Sequence, residues 1–149
     1  MEEKTLVLVK PDAFAKGLAG NIISELDRLN LKMIGLKVIS VKKELAEEHY
    51  KEHKGKPFFD KLVSHLTGKL HNGANVVAIV YLGENAIQKI REFAGSTDPE
   101  KADFKSLRGK YGRINSKNDC FENVIHSSDS PESAKKEIAL WFKQDELIE

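Results

Sequence analysis

The charged residues of this chain are suited to phosphate chemistry. Lys10 follows the apolar run Leu6-Val7-Leu8-Val9, Arg91 lies late in a helical stretch, and Arg108 and Arg113 fall in a long polar excursion. Cations at strand ends and in loops suit charge-assisted contacts with phosphate oxygens. Read singly, each also fits a solvated surface charge. The glycine-rich patterns G-x-x-x-x-G-K-[ST] and G-x-G-x-x-G are both absent, so a phosphate would have to be held by side chains.

Five histidines supply candidate nucleophiles or ligands. His49, His53, His65 and His71 fall in polar helices or loops and are expected at the surface. His49 and His53 have the i, i+4 spacing of a metal pair, but no H-E-x-x-H pattern or third ligand accompanies them. His126 differs. It follows the apolar fragment Asn123-Val124-Ile125 and precedes Ser127-Ser128-Asp129-Ser130 at a helix start, where backbone donors and hydroxyls can surround an anion. A neutral imidazole, with an ordinary pKa near ~6.5, is nucleophilic at physiological pH, and a carboxylate on its other nitrogen fixes the tautomer. Glu137, on the helix that follows, is a candidate for that orienting group. Taken alone, a histidine at a strand end also fits a structural or surface role.

These residues need elements to position them. The run Leu6 to Val9 predicts a strand buried on both faces and stopped by a turn at Lys10-Pro11-Asp12. Ile22, Leu26 and Leu29 mark one face of a helix, with Asn21 as its cap. Residues 33–41 read as a strand and Glu44 to His53 as an exposed helix; Pro57 is expected in the first turn of a helix reaching Leu66. Gly68 to Asn75 reads as a loop, Val76 to Leu82 as a buried strand, and Asn85 to Phe93 as a helix broken by Gly95. Ser96 to Asp119 is polar and longer than an ordinary connection, which marks a functional excursion. Asn123 to His126 returns to strand character. Ser130-Pro131-Glu132-Ser133 opens the last helix, which runs to Trp141-Phe142.

That order contains two β-α-β halves and predicts an α+β sandwich, with helices covering one face of a small mixed or antiparallel sheet. The ferredoxin-like form of this layout has a four-stranded antiparallel sheet. The 149 residues fit a single domain, 1–149, without repeats or linkers. With 24 basic and 23 acidic residues the formal charge is +1, and no specific nucleic-acid partner is expected. The single cysteine, Cys120, excludes an internal disulfide framework and reads as an incidental thiol. The acidic opening does not read as a secretory signal and no stretch approaches membrane-spanning length, so the expected address is cytoplasmic, with no membrane partner.

The string Asn123-Val124-Ile125-His126-Ser127-Ser128-Asp129-Ser130 closely resembles N-x-x-H-[GS]-S-D-[SA], the active-site signature of nucleoside diphosphate kinases. Other blocks resemble that family in order: Leu8-Val9-Lys10-Pro11-Asp12, Gly17-Leu18-Ala19-Gly20, His49-Tyr50, Lys56-Pro57-Phe58-Phe59, Gly95-Ser96-Thr97-Asp98-Pro99, Leu107-Arg108-Gly109 and Glu137 to Phe142. The resemblance implies ping-pong transfer of a γ-phosphoryl group from a nucleoside triphosphate to a nucleoside diphosphate through a phosphohistidine at His126. It implies that Glu137 orients the ring and Ser128 supports the same network. Lys10, Tyr50, Arg91, Thr97, Arg108 and Asn123 match positions that contact phosphates or sugar or stand beside the histidine. Phe58 and Leu62 match the base-contacting positions. Stacking on a ring tolerates every base. Mg2+ is expected to ride on the phosphates, with Asp129 reaching it at most through water. A homo-oligomer, hexamer or tetramer, is implied.

Three departures from the family pattern stand out. Ser127 replaces the usual glycine after the histidine. Arg113 to Glu122 is longer than in common members, with Glu122 where arginine is frequent, which leaves Arg113 out of the expected site. The loop Glu100 to Ser106 lacks a K-P-G segment that the family places at subunit contacts, which bears on assembly more than chemistry. Two rival readings lack the sequence features they require. An RNA-binding module of similar layout would carry the K/R-G-F/Y-G/A-F-V-x-F/Y stacking motif, which is missing. A member that keeps the fold without turnover would lack catalytic positions that are all occupied here.

Overall fold

The computed structural model describes residues 1–148; the domain end expected at Glu149 lies outside them. Strand β1 (Glu2–Val9) is followed by the short helix α1 (Pro11–Ala15) and by α2 (Ala19–Leu26). Next come β2 (Lys32–Ile39), α3 (Lys43–His49), a 3-10 turn (Lys51–His53) and α4 (Phe59–Leu66). β3 (Val76–Glu84) and α5 (Ala86–Ala94) lead into α6 (Leu107–Tyr111) and a hairpin of β4 (Arg113–Asn115) and β5 (Cys120–Glu122). β6 (Ile125–Ser127), α7 (Pro131–Trp141) and a 3-10 turn (Gln144–Glu146) follow.

The main sheet has the order β2-β3-β1-β6 and every neighbouring pair is antiparallel. This is the expected ferredoxin-like α+β layout. Its helices cover both faces rather than one. On one face Val7, Val9, Val77 and Ile79 pack with Ile22, Leu26 and Ile90, from α2 and α5. On the other, Leu6, Leu8, Ala78 and Val80 pack with Ala46, Val63, Leu66 and Trp141, from α3, α4 and α7. The physical reason was present in β1, whose run of consecutive apolar residues has no polar side to offer water. Leu8 pairs with His126 and Val9 with Ile125, so the ends of β1 and β6 bring Lys10 beside Asn123.

Several expected boundaries move. Lys10-Pro11-Asp12 is a helix start, with Lys10 as N-cap and Pro11 in the first turn, where a missing N–H costs nothing. Asn21 lies inside α2, which begins at Ala19 after Leu18 as N-cap. Pro57 precedes α4, within a turn closed by the Phe59 N–H on the Lys56 carbonyl, and Phe58 is the N-cap. The helix expected from Glu44 to His53 divides at Tyr50 into α3 and the 3-10 turn. The excursion from Ser96 onward contains α6 and β4. Ser130 caps α7 as expected, accepting from the Ser133 N–H, with Pro131 next.

Candidate active site

His126 lies on β6 and turns its Nε2 toward α7, 2.9 Å from Glu137 Oε2. The approach is oblique to the ring, so Nε2 makes no aligned hydrogen bond. Behind it, Ser128 donates to Glu137 Oε1 at 2.6 Å and accepts the Leu6 N–H at 3.2 Å. Strand β1 thereby fixes the serine, the serine fixes the carboxylate, and the carboxylate faces the imidazole.

Lys10 is almost fully buried and donates to Asn123 Oδ1 at 2.8 Å. Asn123 donates in turn to the Thr97 carbonyl at 3.0 Å. Burial pushes the Lys10 ammonium below its ordinary value, and the Asp12 charge opposes that shift. Arg108 gives three N–H groups to carbonyls: Gly95 at 2.9 Å, Ile125 at 2.8 Å and Asn123 at 3.3 Å. A guanidinium has about five N–H donors, so the side chain is anchored with donors left for an anion. Burial and then the Arg91 guanidinium bring its pKa to about 10, leaving it charged at neutral pH. Gly95 allows this arrangement, with φ of 88° ending α5 and Ser106 standing where a Cβ would be.

Lys10, Arg91, Arg108, Thr97, Asn123 and His126 all border one cavity of about 530 Å³. Tyr50, Phe58, Leu62 and Asp129 border it too. Ser128 and Glu137 stand behind the histidine. The structure thus brings together the residues expected at the site. Arg113 is outside, with its Nε on Glu122 Oε1 at 3.0 Å. Tyr50 is half-buried, and burial raises its hydroxyl pKa, which keeps it protonated. Asp129 is exposed and held ionised below the ordinary carboxylate range, chiefly by the Ser133 hydrogen bond.

Val124, a fully buried β-branched residue, has φ of 64°. Such a conformation costs on the order of 1–3 kcal/mol for a non-glycine residue. Two contacts hold it: its N–H on Asp12 Oδ2 at 3.1 Å and its carbonyl on the Lys10 N–H at 2.8 Å. This strained residue lies between Asn123 and Ile125, whose carbonyls anchor Arg108.

Three histidines expected at the surface are instead packed inside. His71, its side chain 10% exposed, places Nε2 3.4 Å from buried Glu122 and its ring against His65 at 5.0 Å between centroids. His49 accepts the Trp141 indole N–H at Nδ1 (3.1 Å) and meets His126 edge to face at 4.6 Å between ring centroids. Burial pushes its pKa down to about 2, so it is a neutral wall. His65 is buried on α4 between Asp12 (Nε2 to Oδ1, 2.9 Å) and Cys120 (Nδ1 to Sγ, 2.7 Å). Its position beside Leu62 and Leu66 on an amphipathic helix was the available signal. Cys120, read as incidental, is its partner. His53 lies near Lys56, not in a metal pair with His49. Among the described residues, the group of ligating side chains close enough to hold a cation is His49, His126 and Glu137, within 4.8 Å. The Trp141 N–H already occupies His49 Nδ1, and neutral imidazole then carries its proton on Nε2, which opposes ligation there.

The family model for Nucleoside diphosphate kinase matches residues 3–147. The chain is a member of that family. The family consists of phosphotransferases. A nucleoside diphosphate kinase of Pyrococcus furiosus is 48% identical over 147 residues, covering 99% of this chain and 87% of the relative. The structure of a halophilic nucleoside diphosphate kinase from Halobacterium salinarum in complex with CDP superposes with a TM-score of 0.89 at 42% identity, covering 100% of this chain and 93% of that one. A transition state mimic of the enzyme from Borrelia burgdorferi, with bound vanadate and ADP, also gives a TM-score of 0.89 at 30% identity, covering 99% and 91%. Among the described residues no helix is long and apolar enough to cross a membrane.

Proposed function

We propose that this chain transfers the γ-phosphoryl group of a nucleoside triphosphate to a nucleoside diphosphate in two steps through phosphorylated His126. The observation that carries the reading is the division of the imidazole's surroundings: Nε2 faces Glu137, while the ring borders the cavity lined by Lys10, Arg91 and Arg108. Nδ1 is therefore the nucleophile. It attacks the γ-phosphorus, the bond to the bridging oxygen breaks, and the nucleoside diphosphate leaves. The positive charge that grows on the ring is stabilised by Glu137, which Ser128 holds in place. The second nucleoside diphosphate reverses the step, its terminal oxygen taking the phosphoryl group from Nδ1.

Charge on the transferring oxygens grows toward the transition state, so fixed cations there accelerate the reaction more than they aid binding. Lys10 and Arg108 fit that role because Asn123 and three carbonyls hold them in advance. Phe58 and Leu62 provide the base platform, Tyr50 and Thr97 the walls around sugar and phosphates. Mg2+ would ride on the phosphates, neutralising oxygen charge; ionised, exposed Asp129 on the cavity wall fits a water-mediated contact with it. Exposed Leu36 and Val38 on the edge strand β2 support self-association, as a tetramer or hexamer. The cytoplasm is the proposed address.

Incubation with γ-labelled ATP tests the central step. The protein should take up label that is acid-labile and base-stable, and should release it on addition of any nucleoside diphosphate. His126→Ala should take up none while keeping its fold; label retained on that variant would end the mechanism.

A further inference from the structure

A second cavity, of about 430 Å³, adjoins the phosphate cavity and shares Lys10, Phe58, Leu62, Thr97 and Asn123 with it. Its remaining wall comes from Lys61 and His65 on α4 and from the hairpin, through Asp119, Cys120 and Phe121. That hairpin is built from β4 and β5, which pair antiparallel from Arg113 with Glu122 to Asn115 with Cys120.

The hairpin is firmly tethered. Lys61 on α4 donates to the Asp119 carbonyl at 3.3 Å, and its ammonium lies 3.7 Å from the Asp119 carboxylate. Cys120 meets buried His65. Glu122 is fully buried among Arg113, Asn115 and Lys16; burial pushes its carboxyl up, but those hydrogen bonds prevail and hold it at about 2. Cys120 and Glu122 point inward, so strand alternation turns Phe121 between them outward. It is left 42% exposed, and Phe58, bordering the same cavity from the N-cap of α4, is 46% exposed.

Two aromatic rings half-open to water at one cavity, with a phosphate clamp at its other end, match a flat apolar group attached to a phosphate chain. We infer that Phe121 forms the second wall of a base clamp with Phe58, and that this wall makes the chain favour purine over pyrimidine nucleotides. A base has two π-faces, and a single platform covers one. A second ring covers the other, and the two-ring purine offers it more area than a pyrimidine does. The apolar lining and size fit ligand pockets in general, which run to about 300–1,000 Å³. The inference rests on the reading of Phe58 as the base platform of the proposed kinase.

Single-turnover phosphorylation of the full chain by ATP, GTP, CTP and UTP, with magnesium, tests it. For the wild type, half-saturation should fall at lower concentrations of the purine nucleotides. Phe121→Ala should raise the purine values about five-fold or more, the lower end of what one base–aromatic stack contributes, and the pyrimidine values less. The saturated rate should hold, and Phe121→Tyr should restore the wild-type pattern. An equal rise for all four nucleotides, no rise, or a Tyr variant that behaves like the Ala variant would overturn the inference while leaving the phosphohistidine reading intact. A wild type that takes no label from any nucleotide would overturn both.

Discussion

Asp12→Asn should cost this chain stability and move its pH-rate profile, although Asp12 borders neither cavity. The carboxylate is fully buried; it joins His65 at 2.9 Å and the Val124 N–H at 3.1 Å, and its charge offsets the burial of Lys10. Burial alone would raise its pKa, but the His65 hydrogen bond and the Lys10 charge reverse that and hold it below the ordinary range. Asparagine keeps the shape. His65 can also change tautomer, so that Nε2 accepts from the new amide N–H while the amide oxygen still accepts from Val124. The number of hydrogen bonds is then preserved and the charge alone is lost. Breaking a buried charge pair costs about 3–5 kcal/mol. Asp12 acts on Lys10 through space and Lys10 keeps Asn123, so the cost should be about 2–3 kcal/mol at pH 7. For a chain of this length that is a fall in Tm of about 4–12 °C.

Urea unfolding at several pH values checks the assignment. The folded Asp12 pKa lies below the unfolded value of about 3.9, so its contribution is present above that pH and lost as pH falls through the folded pKa. The gap between wild type and variant should be full at neutral pH and narrow below about pH 4. In the variant, Lys10 loses the charge that raised its pKa, so the basic limb of the pH-rate profile should move to lower pH. A stability change within about 0.5 kcal/mol, the scatter of ordinary surface substitutions, or an unmoved basic limb would refute the reasoning.

Glu137→Gln should lower the saturated phosphorylation rate about ten-fold or more, because a neutral amide stabilises developing imidazolium less than a carboxylate 2.9 Å away; an unchanged rate in rapid-quench measurement would remove Glu137 from the mechanism. Lys10→Ala and Phe58→Ala should separate in the same assay. The first should show a saturated rate lower by about 100-fold, and the second a half-saturation concentration raised about five-fold or more, since stacking is similar in ground and transition states. Matching patterns in the two variants would dissolve the division into phosphate clamp and base platform.

The sequence by itself determined what is local. Apolar periodicity placed the strands around Leu8 and Ile79, the Ser130-Pro131 pair set the start of α7, and the string from Asn123 to Ser130 named the reactive histidine and its family. Those features depend on a residue and its near neighbours in the chain, so spacing reveals them. Tertiary structure decided which charges meet and which lose water. Lys10, Arg91, Arg108 and Asn123 read as separate polar residues until the sheet order brought the ends of β1 and β6 together. His49 and His65 looked like surface histidines because polar residues surround them in sequence; Trp141, Asp12 and Cys120, far along the chain, desolvate and pin them. The left-handed Val124 could not be foreseen either, since a buried carboxylate more than one hundred residues away holds a conformation that a free valine avoids. Desolvation and strain are properties of the packed chain, and they are what turn a legible histidine into a prepared one.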